Sequence, residues 1–169
     1  MICPAVSTAM DKLAKAGLAC PRAFQGCTRE EIGVIESSFS VRLPQCYRDF
    51  LAEMGGSAGE FLLGYDYSYP KMLEFRSWAA ELISECGSAL TLPDNAFVYF
   101  FDPSEAFLYF HCDGNPDPPI FMFIETEPTP KKVFDSFSDW LLAVTDDHIS
   151  IRWENDRLKA QRGDKDRGH

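Results

Sequence analysis

The amino-acid sequence predicts an α+β fold: a mostly antiparallel β-sheet with helices packed at one side. Three runs rich in aromatic and β-branched residues follow one another between Ala96 and Glu125, and turn-forming clusters separate them. Segments with apolar residues at helical spacing lie before and after these runs. Strands that are grouped together, with helices on both sides in the chain, are typical of the α+β class.

The first predicted helix begins at Thr28. Thr28 and Glu31 have the spacing of a capping box, in which each side chain accepts a hydrogen bond from the backbone N–H of the other residue. Ile32, Ile35 and Phe39 then form an apolar stripe. A glycine at position 33 lies inside this helix, where it costs about 1 kcal/mol relative to alanine.

The second predicted helix lies within Val41–Gly56, "VRLPQCYRDFLAEMGG". Pro44 suits the first helical position, because its missing N–H has no partner there and its φ already fits a helix. The apolar residues fall at i, i+3, i+4 and i+7, namely Tyr47, Phe50, Leu51 and Met54. We expect Gly55 or Gly56 to end the helix in the left-handed conformation.

A short strand and a third helix are predicted next. The segment "EFLLGYDYSYP" reads as a strand that runs into a tyrosine-rich loop. Pro70 then opens a helix with Met72, Phe75 and Leu82 at helical spacing, and Gly87 ends it.

The three aromatic runs, "AFVYFF", "AFLYFH" and "PIFMFIE", predict three antiparallel strands in meander order. A final helix follows, with Asp135 or Ser136 as its N-cap. Its apolar stripe consists of Phe137, Trp140, Leu141 and Val144. We predict one domain over residues 1–155 and a polar, mobile tail over residues 156–169.

Length and composition are those of one globular domain. The chain has 169 residues, of which 46% are apolar and 14 are phenylalanine. It has no apolar run of the roughly 18 residues that a spanning helix needs, and its start lacks the pattern of a signal peptide. We therefore expect a cytoplasmic protein. Its six cysteines are widely spaced without a C-x-x-C motif, which predicts reduced thiols rather than a disulfide framework.

Charge limits the classes of partner. The net charge is −10, and the excess of acid lies before Arg152. Phosphate backbones and anionic lipids repel such a surface, so we expect no nucleic-acid or membrane partner and favour a basic protein. The alternative is that the carboxylates only keep the domain soluble.

The sequence offers little that is typical of an enzyme. The segment "YFHCDG" places His111 beside Cys112, but adjacent strand residues point to opposite faces and cannot converge on one ion without a bulge. His111 and Asp113 could share a face, yet two ligands do not make a zinc site. Nucleophile-elbow, P-loop and dinucleotide-binding motifs are missing from the sequence. We expect no catalytic residue, no metal and no cofactor.

Two segments together resemble the SUKH superfamily. "IGVIESSFSVRLPQCYRDFLAEMGG" is similar to the opening of that domain, with its L-P before a helix and its closing glycines. "AFLYFHCDGNPDPPIFMFIE" followed by "KKVFDSFSDWL" is similar to its central strands, their D-P-P turn and its closing helix. The resemblance covers about residues 28–144 and implies a SUKH-like α+β fold.

The resemblance also implies a function. Bacterial SUKH domains are associated with immunity to toxins, often nucleases, which they neutralise by direct binding; eukaryotic relatives act as signalling scaffolds. We therefore expect a non-catalytic immunity protein whose basic partner is a co-encoded toxin. The alternative is a regulatory scaffold without a toxin partner. A third hypothesis, a small enzyme that uses His111, lacks a reaction to which it could be assigned.

The expected contact surface combines the tyrosine-rich loop with acidic turns of the sheet. Exposed tyrosines offer contact area at low entropic cost, and carboxylates steer a basic partner. The predicted residues are Tyr65, Asp66, Tyr67, Tyr69, Asp102, Glu105, Asp113 and Asp117. The alternative for these residues is that the tyrosines cap the core and that the acids only form turns.

Overall fold

The computed structural model describes residues 1–103 and 105–166 and confirms the predicted α+β class. Its helices are α1 (Pro4–Lys15), α2 (Arg29–Phe39), α3 (Gln45–Met54), α4 (Phe75–Glu85) and α5 (Phe137–Asp166). Its strands are β1 (Phe24–Gln25), β2 (Ser57–Ala58), β3 (Ala96–Asp102), β4 (Ala106–His111), β5 (Ile120–Ile124) and β6 (Glu127–Phe134). Strands β1 and β2 form a small antiparallel pair.

The main sheet is an antiparallel meander in the order β3-β4-β5-β6. Its register pairs Phe97 with Phe110 and Phe107 with Phe123. The three predicted strands are therefore present in the predicted order. A fourth strand, β6, was not predicted, because "EPTPKKVF" contains two prolines and two lysines. These are residues that natural sheets place on edge strands, where they discourage pairing with another chain.

A β-bulge explains why β3 is buried along most of its length. Its register with β4 shifts just before Phe100, so Tyr99 is an extra residue. Tyr99 and Phe100 both contact Trp140 of α5, at ring-centroid distances of 4.9 and 5.8 Å. Phe101 instead contacts Trp78 of α4, at 5.6 Å. Helix α5 thus covers one face of the sheet, and α4 lies against the opposite face.

Local signals fix the start of α2 and the buried side of α3. The Thr28 hydroxyl accepts from the Glu31 N–H at 3.1 Å, and the Glu31 carboxylate accepts from the Thr28 N–H at 2.8 Å, which confirms the capping box. Helix α3 begins at Gln45, so Pro44 stands one position earlier than predicted. The stripe is confirmed, with Tyr47, Phe50, Leu51 and Met54 all at most 1% exposed.

The predicted role of the glycines after α3 is wrong. Gly55 has a right-handed φ of −68°, and Gly56 is not in the left-handed region either. A Cβ at Gly55 would lie 2.6 Å from the Leu51 carbonyl oxygen and 2.7 Å from the Cys27 sulfur. A Cβ at Gly56 would lie 2.9 Å from the Gln25 carbonyl oxygen. Both positions need glycine because other chain atoms lie where a Cβ would be, and not because their backbone φ is left-handed.

The predicted strand over "EFLLGYDYSYP" is also wrong. Three residues of this region, Gly59, Leu62 and Gly64, have positive φ, which is incompatible with an extended strand. The segment forms turns that bury Phe61 and Leu62. It is also joined to the sheet by an antiparallel bridge between Asp66 and Phe101.

Helix α1 was not predicted from the sequence. Its buried residues are Ala5, Val6, Ala9 and Leu13, a stripe made mostly of small side chains. These residues recur at helical spacing, and their mostly small side chains let two helices approach closely. Helix α1 packs along α5, and Lys12 forms an ion pair with Asp146 at 2.8 Å.

Helix α5 is much longer than its predicted stripe. Ser136 is the cap, because its hydroxyl accepts from the Asp139 N–H at 3.0 Å. The helix continues through Asp166, favoured by good helix formers and by an Arg152–Asp156 ion pair at 3.1 Å. Much of the predicted tail, residues 156–169, is therefore helical, and its mobility stays a prediction. The last three residues of the predicted tail, 167–169, lie outside the described residues.

Candidate partner-binding site

The imidazole of His111 takes part in aromatic packing. Its ring centroid lies 5.7 Å from that of Tyr109 and 5.3 Å from that of Phe121. Within residues 1–103 and 105–166, no group of three or more His, Cys, Asp and Glu side chains is arranged to hold a metal ion.

The cysteines are free thiols, and several have strongly raised pKa values. Burial, with the nearby Glu31 carboxylate, raises the pKa of Cys27 to about 11. Burial raises the pKa of Cys46 and of Cys112 to about 12. Since the thiolate is the nucleophile, these three thiols are unreactive at neutral pH.

The beginning of the tyrosine-rich loop lies beside the end of β3. Tyr65 is 41% exposed, and its ring lies 5.1 Å from that of Phe100. The next residue, Asp66, exchanges two backbone hydrogen bonds with Phe101, at 2.9 and 2.8 Å. Its carboxylate accepts from the Lys71 ammonium. Tyr65 is therefore exposed beside β3, whereas the side chain of Asp66 is only 16% exposed.

The other two tyrosines of the loop have structural positions. Tyr67 is 8% exposed and packs on Phe50 at a ring-centroid distance of 6.1 Å, and burial raises its pKa to about 12. Tyr69 is half-buried, and its N–H donates to the Gly55 carbonyl at 2.9 Å. The ring of Tyr67 belongs to the core, so we leave it out of the surface proposed below.

The predicted acidic turns lie at opposite ends of the sheet. Asp102 and Glu105 flank the β3–β4 turn, whereas Asp113 and Asp117 belong to the β4–β5 connection. Strand β4 separates the two turns, and its six residues span roughly 20 Å. Asp102 and Glu105 are therefore separated from Asp113 and Asp117 by about the length of β4.

The acids of the β4–β5 connection have local roles. The Asp113 carboxylate accepts from the Asn115 N–H at 3.0 Å, an Asx turn. The Asp117 carboxylate accepts from the Ser138 N–H at 2.9 Å and so caps the start of α5. Asp117 therefore links the β4–β5 connection to the first turn of α5.

At the other end, the structure brings together carboxylates from three turns. The β5–β6 turn lies beside the β3–β4 turn, because the Glu125 N–H donates to the Glu105 carbonyl at 2.9 Å. Glu125 and Glu127 were not part of the predicted surface. We call this region the acidic end, formed by Asp66, Asp102, Glu105, Glu125 and Glu127.

A family model confirms the resemblance. The model of the SMI1/KNR4 family (SUKH-1) matches residues 26–143, which is most of the chain. The chain belongs to the SUKH-1 family. No curated protein matches the chain. In this SUKH-1 chain, α1 and residues 144–166 of α5 lie outside the matched residues.

A groove of about 520 Å³ runs between the sheet of this SUKH-1 domain and α5, next to the acidic end. We call it the α5 groove. The residues that line it include Phe100, Leu108, Met122, Phe134, Val144 and Ile151. Tyr65 and Asp102 of the predicted surface also border it. The groove was not predicted, because Asp147, His148 and Ile151 of its α5 wall lie beyond the apolar stripe that the sequence revealed.

His148 forms part of the α5 wall of this groove. It is half-buried, with its ring 5.5 Å from that of Phe61 and 6.4 Å from that of Tyr65. Burial lowers the pKa of His148 below its usual value near 6.5, and the neighbouring Asp147 opposes this shift only in part. The folded domain therefore favours the neutral imidazole.

This pKa shift predicts how stability depends on pH. Below pH 6.5 the unfolded chain takes up a proton on His148 that the folded chain does not, so stability falls as pH decreases towards the folded pKa. We expect the free energy of unfolding, measured by urea denaturation, to fall between pH 7.5 and 5.5. The variant His148→Gln should fall less over the same range. Parallel pH profiles for the two proteins would contradict this prediction.

None of the helices in the described part of the chain has both the length and the apolar character that crossing a membrane requires.

Proposed function

We propose that this SUKH-1 chain is a non-catalytic, cytoplasmic immunity protein that neutralises a basic, co-encoded toxin by direct binding through its acidic end. The observation that carries this proposal is the convergence of carboxylates from three separate turns, beside an exposed tyrosine and an apolar groove. Aromatic anchors surrounded by charge are the usual composition of a binding surface.

The electrostatics of the acidic end favour a basic partner. At the acidic end, Lys71 forms an ion pair with Asp66, and Lys131 forms one with Glu127. The acidic side chains nonetheless outnumber the lysines there, and the whole chain carries a net charge of −10. Such a surface attracts a basic protein and increases its association rate, most strongly at low salt. A nuclease toxin, which needs a basic surface to bind nucleic acid, fits this description.

The family supports the same class of function. SUKH-1 domains are known from toxin immunity and from signalling scaffolds, both of which act by binding. The side chains that could carry chemistry are engaged otherwise: the imidazoles of His111 and His148 pack on aromatic rings, and burial makes three of the thiols poor nucleophiles.

The first test uses the toxin encoded beside this gene. We expect the purified proteins to form a stoichiometric complex, and we expect co-expression to restore the growth of toxin-expressing cells. The apparent Kd should increase with salt concentration, as expected for charges on an exposed surface. If the two proteins do not bind and growth is not restored, the immunity proposal is wrong. Binding to a basic protein that is not toxic would instead identify a regulatory scaffold.

Paired charge reversals locate the surface. The variant Glu105→Lys/Glu125→Lys changes two carboxylates of the acidic end, and we expect the association rate at low salt to fall at least about tenfold. The control variant Asp94→Lys/Asp113→Lys makes the same change in net charge at the opposite end of the sheet, where the Cys112 N–H donates to the Asn95 carbonyl. Equal losses in the two variants would show that binding responds only to net charge.

A further inference from the structure

The lining of the α5 groove differs in character from the acidic end. Its exposed lining is mainly apolar, with side chains from the sheet on one side and Val144 and Ile151 of α5 on the other. Ile151 is 57% exposed. The groove therefore offers apolar surface that the fold itself does not cover.

Carboxylates border this apolar lining on both sides. Asp102 lies at the end of β3, and Asp147 lies on α5 next to His148. A segment that enters the groove would thus place apolar side chains between two negative charges. The chemistry that matches is an amphipathic segment with a row of apolar residues and flanking lysines or arginines.

From this arrangement we propose that the α5 groove binds an amphipathic helix of the basic partner, with two or three aliphatic or aromatic anchors facing the sheet. This inference rests on the proposed function, because the helix belongs to the basic partner that the acidic end binds. The groove has an open, elongated wall along α5, which suits anchors at i, i+3 or i+4, and i+7. The acidic net charge disfavours a second copy of this chain as the occupant.

The part of α5 that contributes Asp147, His148 and Ile151 lies outside the residues that the family model matches. It is supported by α1, which also lies outside the match, through the ion pair between Lys12 and Asp146. The groove therefore combines a sheet wall within the matched residues with an α5 wall that lies beyond them.

Helix α5 itself provides a matched pair of variants. Ile151 and Trp153 are both large, apolar and exposed, at 57% and 64%, but only Ile151 lines the groove. Trp153 borders a different depression, beside Lys12 and Lys15 of α1. Ile151→Arg and Trp153→Arg add the same charge on the same helix, so they differ only in which surface they alter. Both positions are exposed, so we expect both variants to fold.

The probe is a synthetic 18-residue helical peptide with leucines at i, i+3, i+7 and lysines elsewhere, titrated into the full chain at low salt. We expect it to bind, and we expect Ile151→Arg to weaken binding at least tenfold while Trp153→Arg changes it less than twofold. Asp147→Asn should weaken binding and reduce its salt dependence. Two control peptides replace the leucines with glutamine or the lysines with glutamate, and neither should bind comparably.

Several results would overturn the groove proposal. These are failure of the leucine–lysine peptide to bind, equal binding of a control peptide, equal losses in Ile151→Arg and Trp153→Arg, or a wild-type dimer that Ile151→Arg dissociates. A small apolar molecule that copurifies with the wild type and is lost in Ile151→Arg would overturn it as well. If the toxin complex forms with equal affinity in both arginine variants, the groove proposal fails while the immunity proposal stands.

Discussion

Replacing Tyr47 with alanine should lower the free energy of unfolding by about 3–5 kcal/mol, the range for removing a large aromatic side chain from a core. The ring of Tyr47 is fully buried on the sheet-facing side of α3. Five other rings surround it at centroid distances of 5.1 to 5.9 Å, those of Phe50, Phe97, Tyr99, Phe110 and Phe137. These rings come from α3, β3, β4 and α5, so one deletion opens a cavity where four elements meet.

The matched control for this variant is Tyr47→Phe. The Tyr47 hydroxyl makes only a contact of 3.8 Å with the Met72 sulfur, a weak acceptor. We expect Tyr47→Phe to change stability by less than about 1 kcal/mol, because the ring and its packing remain. Urea denaturation of both variants at pH 7.5 measures the difference. A loss in Tyr47→Phe as large as that in Tyr47→Ala would mean that the hydroxyl, rather than the ring, holds the core together.

The second large effect is expected for Gly26→Ala. A Cβ at Gly26 would lie 1.6 Å from the carbonyl oxygen of Ala52 and 2.3 Å from its carbonyl carbon, both backbone atoms of α3. Backbone atoms cannot move aside as the end of a flexible side chain can. The segment is also tied to α3 by the Cys27 N–H, which donates to the Leu51 carbonyl at 2.7 Å. We expect a loss of about 3 kcal/mol or more, at the upper end of overpacking effects.

Gly33→Ala is the matched control, because it makes the same chemical change in open space. A Cβ at Gly33 meets no atom within 4 Å, and the residue lies on the exposed side of α2. We expect this variant to be more stable by about 0.5–1 kcal/mol, the difference in helix propensity between alanine and glycine. Thermal and urea denaturation give the sign for both variants. A stable Gly26→Ala protein with unchanged β1–β2 pairing would contradict the close approach described here.

Local rules predicted the elements whose signals are contained in a short segment. The capping box of α2 involves residues three positions apart, and the stripe of α3 repeats every three or four residues, so neither needs the rest of the chain. The three aromatic strands were predicted for the same reason. The missed elements β6 and α1 differ: β6 carries two prolines that suit an edge strand, whereas α1 has Val6, Ala9 and Leu13 at helical spacing, a pattern as local as that of α3.

The candidate site could be predicted only in part. Tyr65, Asp66, Asp102 and Glu105 were chosen for their residue types, and the structure places them near one another. The same reasoning also selected Tyr67, which is buried, and Asp113 and Asp117, which lie at the far end of the sheet. Residue type indicates what a side chain can do, but not which end of a strand it occupies once the meander has folded.

By itself, the sequence determined the α+β class, the membership in the SUKH-1 family and the excess of acid, because these follow from periodicity, motif order and composition. Only the tertiary structure decided which acids act together, since the bridge between Asp66 and Phe101 and the register of the meander bring distant residues to one end. It also created the α5 groove. That groove exists because one long helix crosses one face of the sheet and leaves part of that face uncovered, a relation between elements that no short segment encodes.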